Sequence, residues 1–240
     1  MPFSMKTIDF LTENRINDSK AWFEEHKAEY KRLVTEPFCE IIEKLSPVLA
    51  QIDDEIICSP RCISRIYRDV RFSNDKSLFR DSMWCSFRHP RQPREPMPEL
   101  YFAISPDGFE FGCGFYCAGT ANMEAMRSLI LSGDKSFKAA DKAYRSADRL
   151  VMGGDSYKKS RFPDCPENER EWLDRKNIYF NCGTNDPTIV FGDDLADYIA
   201  EGFNQCAPIF HVLMKVPRLE TIKIVAKYFW LNEFHLWKNL

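Results

Sequence analysis

Apolar positions recur along this chain with two periods, and the switches between them mark its elements. Near the start the spacing is helical. Ile8, Phe10 and Leu11 give one apolar side to a short helix over residues 8–14. Asn17, Asp18 and Ser19 are short polar side chains that accept free backbone N–H groups, so they predict a helix start. That helix runs to about residue 35 on its period, with Trp22, Phe23, His26, Tyr30 and Leu33 or Val34 facing inward. Pro37 opens a further helix, where a missing N–H is harmless, with Phe38, Ile41, Ile42, Leu45 and Leu49 on its buried face. Pro47 is expected to end or kink it.

Residues 52–60 read as a connector, and the period then shortens to two. Residues 62–67 are predicted as a strand with Ile63, Arg65 and Tyr67 on one face and Ser64, Ile66 and Arg68 on the other. Asn74 and Asp75 make residues 69–81 a loop. A second strand is predicted over 83–89, and the proline-rich 90–98 as an exposed loop or edge. Pro106-Asp107-Gly108 between two alternating runs is the clearest hairpin, over 100–105 and 109–117. Phe109, Phe111, Cys113, Phe115 and Cys117 form its core face. Gly112 and Gly114 leave the other face bare, open to a helix, a ligand or another backbone.

Helical spacing then returns. Thr120 is predicted to cap a helix ended by Gly133, with Met123, Met126, Leu129 and Ile130 buried. Asp134 starts another to about residue 150, with Phe137, Ala140 and Tyr144 inward. A loop over 153–166, a helix over 167–176, a strand over 177–182 and a turn at Asp186-Pro187 follow. A helix from Asp193 or Asp194 to about residue 213 closes the domain, bent or broken at Pro208. Ile222, Val225, Phe229, Trp230, Phe234 and Trp237 make the remainder aromatic-heavy and helical. The expected fold is α+β: an antiparallel or mixed sheet from about residues 62–117 plus 177–182, packed with N- and C-terminal helices. The expected organisation is one domain over 1–214 and an aromatic tail over 215–240, the tail docking on its own domain or forming a homodimer interface.

Composition changes this picture little. The chain has 240 residues, 44% hydrophobic, 29% charged and 14% aromatic, which is ordinary for a folded protein with a sizeable core. Nine cysteines without a secretory leader suggest reduced thiols and a cytoplasmic location. No uncharged apolar run approaches ~18 residues, and the tail has a thin Lys/Arg face, which argues against a membrane partner.

Charge changes it more. Net charge is −3, yet residues 60–94 hold nine Lys/Arg against three Asp, a balance of +6 that leaves −9 elsewhere. The core of this segment reads RCISRIYRDVRFSNDKSLFR, with Tyr67, Phe72 and Phe79 interleaved. Arginine is planar, always charged and bidentate toward phosphate or carboxylate. Arg65, Arg68, Arg71, Lys76, Arg80 and Tyr67 are therefore candidate contacts for a small anionic ligand, with Asp69 orienting them. Arg88, Arg91 and Arg94 could add phosphate contacts, but the overall acidity argues against nucleic acid. One alternative is a structural Arg–Asp lattice. Another is a hydrolase or transferase on an anionic substrate, with Asp69 or Asp75 as base or metal ligand.

Other chemistry is thinly marked. Cys58-x3-Cys62 and Cys113-x3-Cys117 share a spacing, but two cysteines four apart on a strand are ~13 Å distant, too far for one metal. They read as small buried apolar residues, and no metal ligand is assigned. His26, His89, His211 and His235 show no ligand spacing. No phosphate loop, nucleophile elbow or dinucleotide fingerprint is present, so no cofactor is indicated.

RIYRDVRFSNDKSLFR resembles the RIYRDxRFSxDKxPYK stretch of a bacterial and fungal family catalogued only as a domain of unknown function. FLTENRINDSKAWFEEHKAEYKRLVTEPF is similar to that family's FLxxLxxNNxxxWFxxNKxxYxxxVxxPF opening. YFAISPDGFEFGCGFYCAGTANMEAMRSLI is similar to its hairpin and following Arg-containing helix, which adds Arg127 to the candidate residues. The likeness covers about residues 7–213. Leu78-Phe79-Arg80 stands in place of Pro-Tyr-Lys, and residues 177–182 match poorly. The resemblance implies a single α+β domain and no particular reaction.

Overall fold

One antiparallel sheet organises the chain. Its strands are β1 (Met83–Phe87), β2 (Glu99–Ser105), β3 (Gly108–Gly114), β4 (Val151–Gly153) and β5 (Tyr179–Thr184), in the order β1-β2-β3-β5-β4. The computed structural model describes residues 2–71, 73–91, 97–115 and 118–236, with side chains described as far as Pro217. Phe72, Arg94, Tyr116, Cys117, Trp237 and the side chains of the aromatic tail lie outside the described residues. The fold is α+β, as the pattern predicts.

The sheet has one covered and one open face, and the alternation decides which is which. Cys85, Phe87, Leu100, Phe102, Ile104, Phe109, Phe111, Cys113, Phe180 and Cys182 are buried. They meet α4 (Glu36–Ile52) and α9 (Leu195–Leu236). Phe38 of α4 stacks on Phe102 at 5.2 Å, and Phe203 of α9 meets Phe87 and Phe111 edge-on at 6.0 and 6.1 Å. Each such ring contributes about 2–3 kcal/mol by leaving water. At the β4–β5 side, α5 (Thr120–Leu131), α6 (Lys135–Ser146) and α7 (Glu167–Leu173) enclose Trp172, which lies 5.0 Å from Phe180. Its indole N–H donates to Asp141 at 2.9 Å, which is how a fully buried indole keeps its polar edge satisfied.

The N-terminal helices follow the caps. α1 spans Met5–Asn17, and Ser19 accepts from the Trp22 N–H at the start of α2 (Lys20–Glu25). His26 interrupts the predicted long helix, so α3 (Lys27–Tyr30) follows separately. Lys31–Thr35 is then a π-turn, in which the Glu36 N–H reaches the Lys31 carbonyl. Pro37 has no N–H to return to Leu33, four residues back. The Thr7 hydroxyl of α1 donates to the Leu33 carbonyl instead, at 2.9 Å.

Several expectations are corrected. Residues 62–67 are not a strand: Pro60–Cys62 is a 3₁₀ turn, and only isolated pairings at Ile63–Cys85 and Tyr67–Phe79 follow. Neither face of that segment is purely apolar, so no ladder is stabilised by burial. Pro47 lies inside α4, and Pro208 and Pro217 inside α9, without ending either helix. Buried neighbours on both sides of each break outweigh the lost hydrogen bond: Leu45, Val48 and Leu49 in α4, Cys206, Ile209 and Phe210 in α9. The helix predicted to residue 150 stops at Ser146 and gives way to β4. Asp186 caps a short helix, α8 (Pro187–Val190). α9 runs on to Leu236, past the helix end predicted near residue 213. Among the described residues, no helix is long and apolar enough to cross a membrane.

Candidate functional site

Two regions collect chemistry: the arginine-rich loop and the open sheet face. In the loop the chain doubles back on itself. The Arg68 N–H donates to Leu78 at 2.8 Å, and the Arg80 N–H to Ile66 at 2.9 Å. Tyr67 is exposed at the rim, its ring 4.9 Å from Phe79 and 5.7 Å from Phe23. Asp75 is the hub. It accepts from the Ser77 N–H (3.0 Å) and hydroxyl, from Arg15 (2.6 Å) and from Arg68. Ser77 first, then Arg15 and Arg68, hold its carboxyl well below the usual range. Asp69 takes Arg71 bidentately at 2.9 and 2.6 Å, which lowers its pKa to about 2. Asp18, in the left-handed region at φ 45°, accepts from the Leu78 and Phe79 N–H groups and ties the loop to α1.

This arrangement constrains the candidates. Carboxylates this acidic are poor proton acceptors near neutrality. Arg68 and Arg71 are held by Asp75 and Asp69, and the Lys76 ammonium donates to the Val70 carbonyl at 2.9 Å. Arg61 and Arg65 are exposed. Arg80 leaves the loop and covers the Trp84 ring at 4.6 Å. Arg127 is elsewhere: it is buried on α5 and donates to the Leu173 carbonyl (2.9 Å), the Arg175 carbonyl (2.5 Å) and Glu124 (2.8 Å). There it closes the C-terminal end of α7. Cys58 and Cys62 act as thiol donors to the Ile42 and Ile57 carbonyls, at 3.5 and 3.1 Å.

The open face carries a groove of about 850 Å³. Trp84 and Ser86 of β1, Glu99, Tyr101 and Ala103 of β2, Glu110 of β3, and Tyr179 and Asn181 of β5 line it. The register sets their spacing. Trp84, Ala103, Glu110 and Gly183 form one cross-strand row; Ser86, Tyr101, Gly112 and Asn181 the next; Glu99, Gly114 and Tyr179 the third. Trp84, Tyr101 and Tyr179 therefore lie on a diagonal, with Cα separations of about 8 and 12 Å from strand spacing and rise. Between Tyr101 and Tyr179 the floor is glycine. A Cβ at Gly112 would stand 2.0 Å from the Phe180 carbonyl oxygen, and one at Gly114 (φ +156°) 2.5 Å from Tyr179. The two glycines thus permit close strand approach as well as a bare floor.

The groove's electrostatics are acidic. Among the described residues its lining includes Glu99, Asp107 and Glu110 and no Lys or Arg. Asn181 donates to Glu110 at 3.2 Å, leaving its carbonyl and the second carboxylate oxygen for a ligand. Arg88 approaches Glu99 at 3.8 Å from the rim. Burial, then Glu110, push the Tyr101 hydroxyl up, so it stays a proton donor. Of the described residues picked from sequence, Arg80 reaches this groove through Trp84, whose ring it covers from one side, and Arg88 through Glu99. The bare glycine face was its visible signal. The aromatic diagonal spans three strands and emerges only from their register.

The folded domain is thus an α+β unit with one covered and one open sheet face. The chain belongs to the family described as conserved hypothetical protein (DUF2461), whose profile matches residues 6–211. This accords with the resemblance to an uncharacterised family noted above. No curated protein matches the chain.

Proposed function

We propose that this chain is a binding domain whose ligand is an extended, neutral, polyhydroxylated molecule of the sugar type, laid across the open sheet face. The observation that carries the reading is the diagonal of Trp84, Tyr101 and Tyr179 over a glycine floor, flanked by Glu110 and Asn181. Aromatic faces stack on flat C–H surfaces while carboxylate and carboxamide oxygens accept hydroxyl protons. The groove is within the usual size range of small-ligand sites, about 300–1,000 Å³. Single-stranded nucleic acid needs a positive groove, and among the described residues the lining carries Glu99, Asp107 and Glu110.

Titration of a mono- and oligosaccharide panel, followed by tryptophan fluorescence, tests the reading. Saturable binding weakened about tenfold or more by Trp84→Ala and Glu110→Gln is expected. Saturation by no member of the panel overturns it.

A second reading keeps the arginine loop as an anion site. The exposed heads of Arg61, Arg65 and Arg71 on one loop support it, with Arg65, Arg68, Arg71 and Lys76 as contacts. Nucleotides and sugar phosphates titrated against wild type and Arg65→Gln test it; no loss of affinity in the variant refutes it. The Arg15–Asp75–Arg68 network supports the lattice alternative, in which these charges hold the loop to α1.

A further inference from the structure

Three cationic heads converge on one tyrosine outside the groove lining and the arginine loop. The Arg161 guanidinium carbon lies 4.9 Å from the Tyr157 ring centroid, the Arg127 carbon 5.5 Å and the Lys176 ammonium 5.5 Å. Arg161 also donates to the Tyr157 hydroxyl oxygen at 2.9 Å, which leaves the phenolic proton free to donate outward. The scaffold is fixed by backbone bonds. Ser156 bridges Arg175, the Tyr157 N–H donates to Asp174 (2.9 Å) and the Lys176 N–H to Asp155 (2.7 Å).

The charges here are unevenly matched. Arg127 is buried and has Glu124. Arg161 and Lys176 are exposed, and among the described residues neither has a carboxylate within 4.0 Å. Lys158 and Lys159 are exposed on the same turn. Asp174 faces the site, but its Oδ1 accepts the Arg161 backbone N–H at 2.9 Å, and Asp155 is exposed beside it. A forked guanidinium, a compact ammonium and a phenolic O–H on a fixed loop match an oxyanion with several acceptor oxygens.

We propose that the turn around Tyr157 binds the phosphate group of a small phosphorylated molecule through Arg161, Lys176 and the Tyr157 hydroxyl. This site is independent of the sheet groove and of the arginine loop. The test uses the full chain labelled with ¹⁵N, titrated with inorganic phosphate and, separately, with glycerol phosphate, at ionic strength held constant with chloride. Saturable amide shifts centred on residues 155–162 and 174–177 are expected with both probes. Arg161→Gln and Lys176→Gln should each weaken binding about threefold to tenfold, and together abolish saturation. Arg65→Gln should leave these shifts unchanged. Linear shifts without saturation, or saturable shifts centred elsewhere, overturn the proposal on the wild-type chain alone. So does wild-type affinity in a double variant that melts where the wild type does.

Discussion

Replacing Thr7 by valine removes one hydroxyl and keeps the shape of the side chain. In the folded chain Thr7 is 1% exposed, and its hydroxyl accepts from the Ser4 N–H at 3.2 Å and donates to the Leu33 carbonyl at 2.9 Å. The second bond fills the place left by Pro37, whose ring nitrogen carries no proton. Leaving a buried carbonyl unsatisfied costs about 1–3 kcal/mol, and losing a helix-start bond about 0.5–2. The added methyl recovers about 0.8 kcal/mol by burial. The expected net loss is about 0.7–4 kcal/mol, or roughly 1–16 °C in melting temperature for a chain of this size. Calorimetry and urea unfolding measure it, with Thr7→Ser, which keeps the hydroxyl, falling less. A valine variant as stable as wild type, or more so, would refute the account of how the π-turn and Pro37 are accommodated.

Other substitutions probe other parts. Asn14 is fully buried on α1, and neither side-chain polar atom meets a hydrogen-bonding group among the described residues, so Asn14→Leu should raise stability by about 1–3 kcal/mol in urea unfolding; a lower urea midpoint would show that the amide is satisfied. Gly112→Ala should cost about 1–3 kcal/mol, because the new methyl meets the Phe180 carbonyl at 2.0 Å; unchanged thermal unfolding would contradict the strand approach. Asp69 and Asp134 have folded pKa values lowered to about 2, by Arg71 and by Ser136 respectively. Both lie below the unfolded value of about 3.9, so their stabilisation is present above pH 4 and lost as pH falls toward 2. Urea midpoints across pH 2–7 should therefore drop on the acid side, less steeply in Asp134→Asn; identical slopes would remove Asp134 from that account.

The sequence exposes local physics well and register poorly. Pro106-Asp107-Gly108, the Ser19 cap and the alternation of Phe109, Phe111 and Cys113 each carry their structure in a few adjacent residues. β4 is three residues long, too short for any period to reveal. The 62–67 segment alternates like a strand, but its partners at Cys85 and Phe79 meet it only singly. The arginine run was conspicuous because its charges are contiguous. The groove was visible only as missing side chains at Gly112 and Gly114, since Trp84, Tyr101 and Tyr179 become neighbours through strand pairing. Arg161 and Lys176 carry no local signal for the same reason: fifteen positions and a helix separate them until one bridge brings both to Tyr157.

The two borders of the sheet carry a consequence of their own. A strand border is a template on which any extended peptide can add hydrogen bonds, and folded proteins guard against this with short or interrupted borders. Here β4 offers only Val151, Met152 and Gly153 on one side. On the other, β1 is already touched by Ile63 at Cys85, and Ile57 pairs with Arg88 just beyond the strand end. Among the described residues, neither border presents a long free ladder for another strand. With both borders short or interrupted among the described residues, the pleated surface with its three aromatic rings is open to something other than another strand.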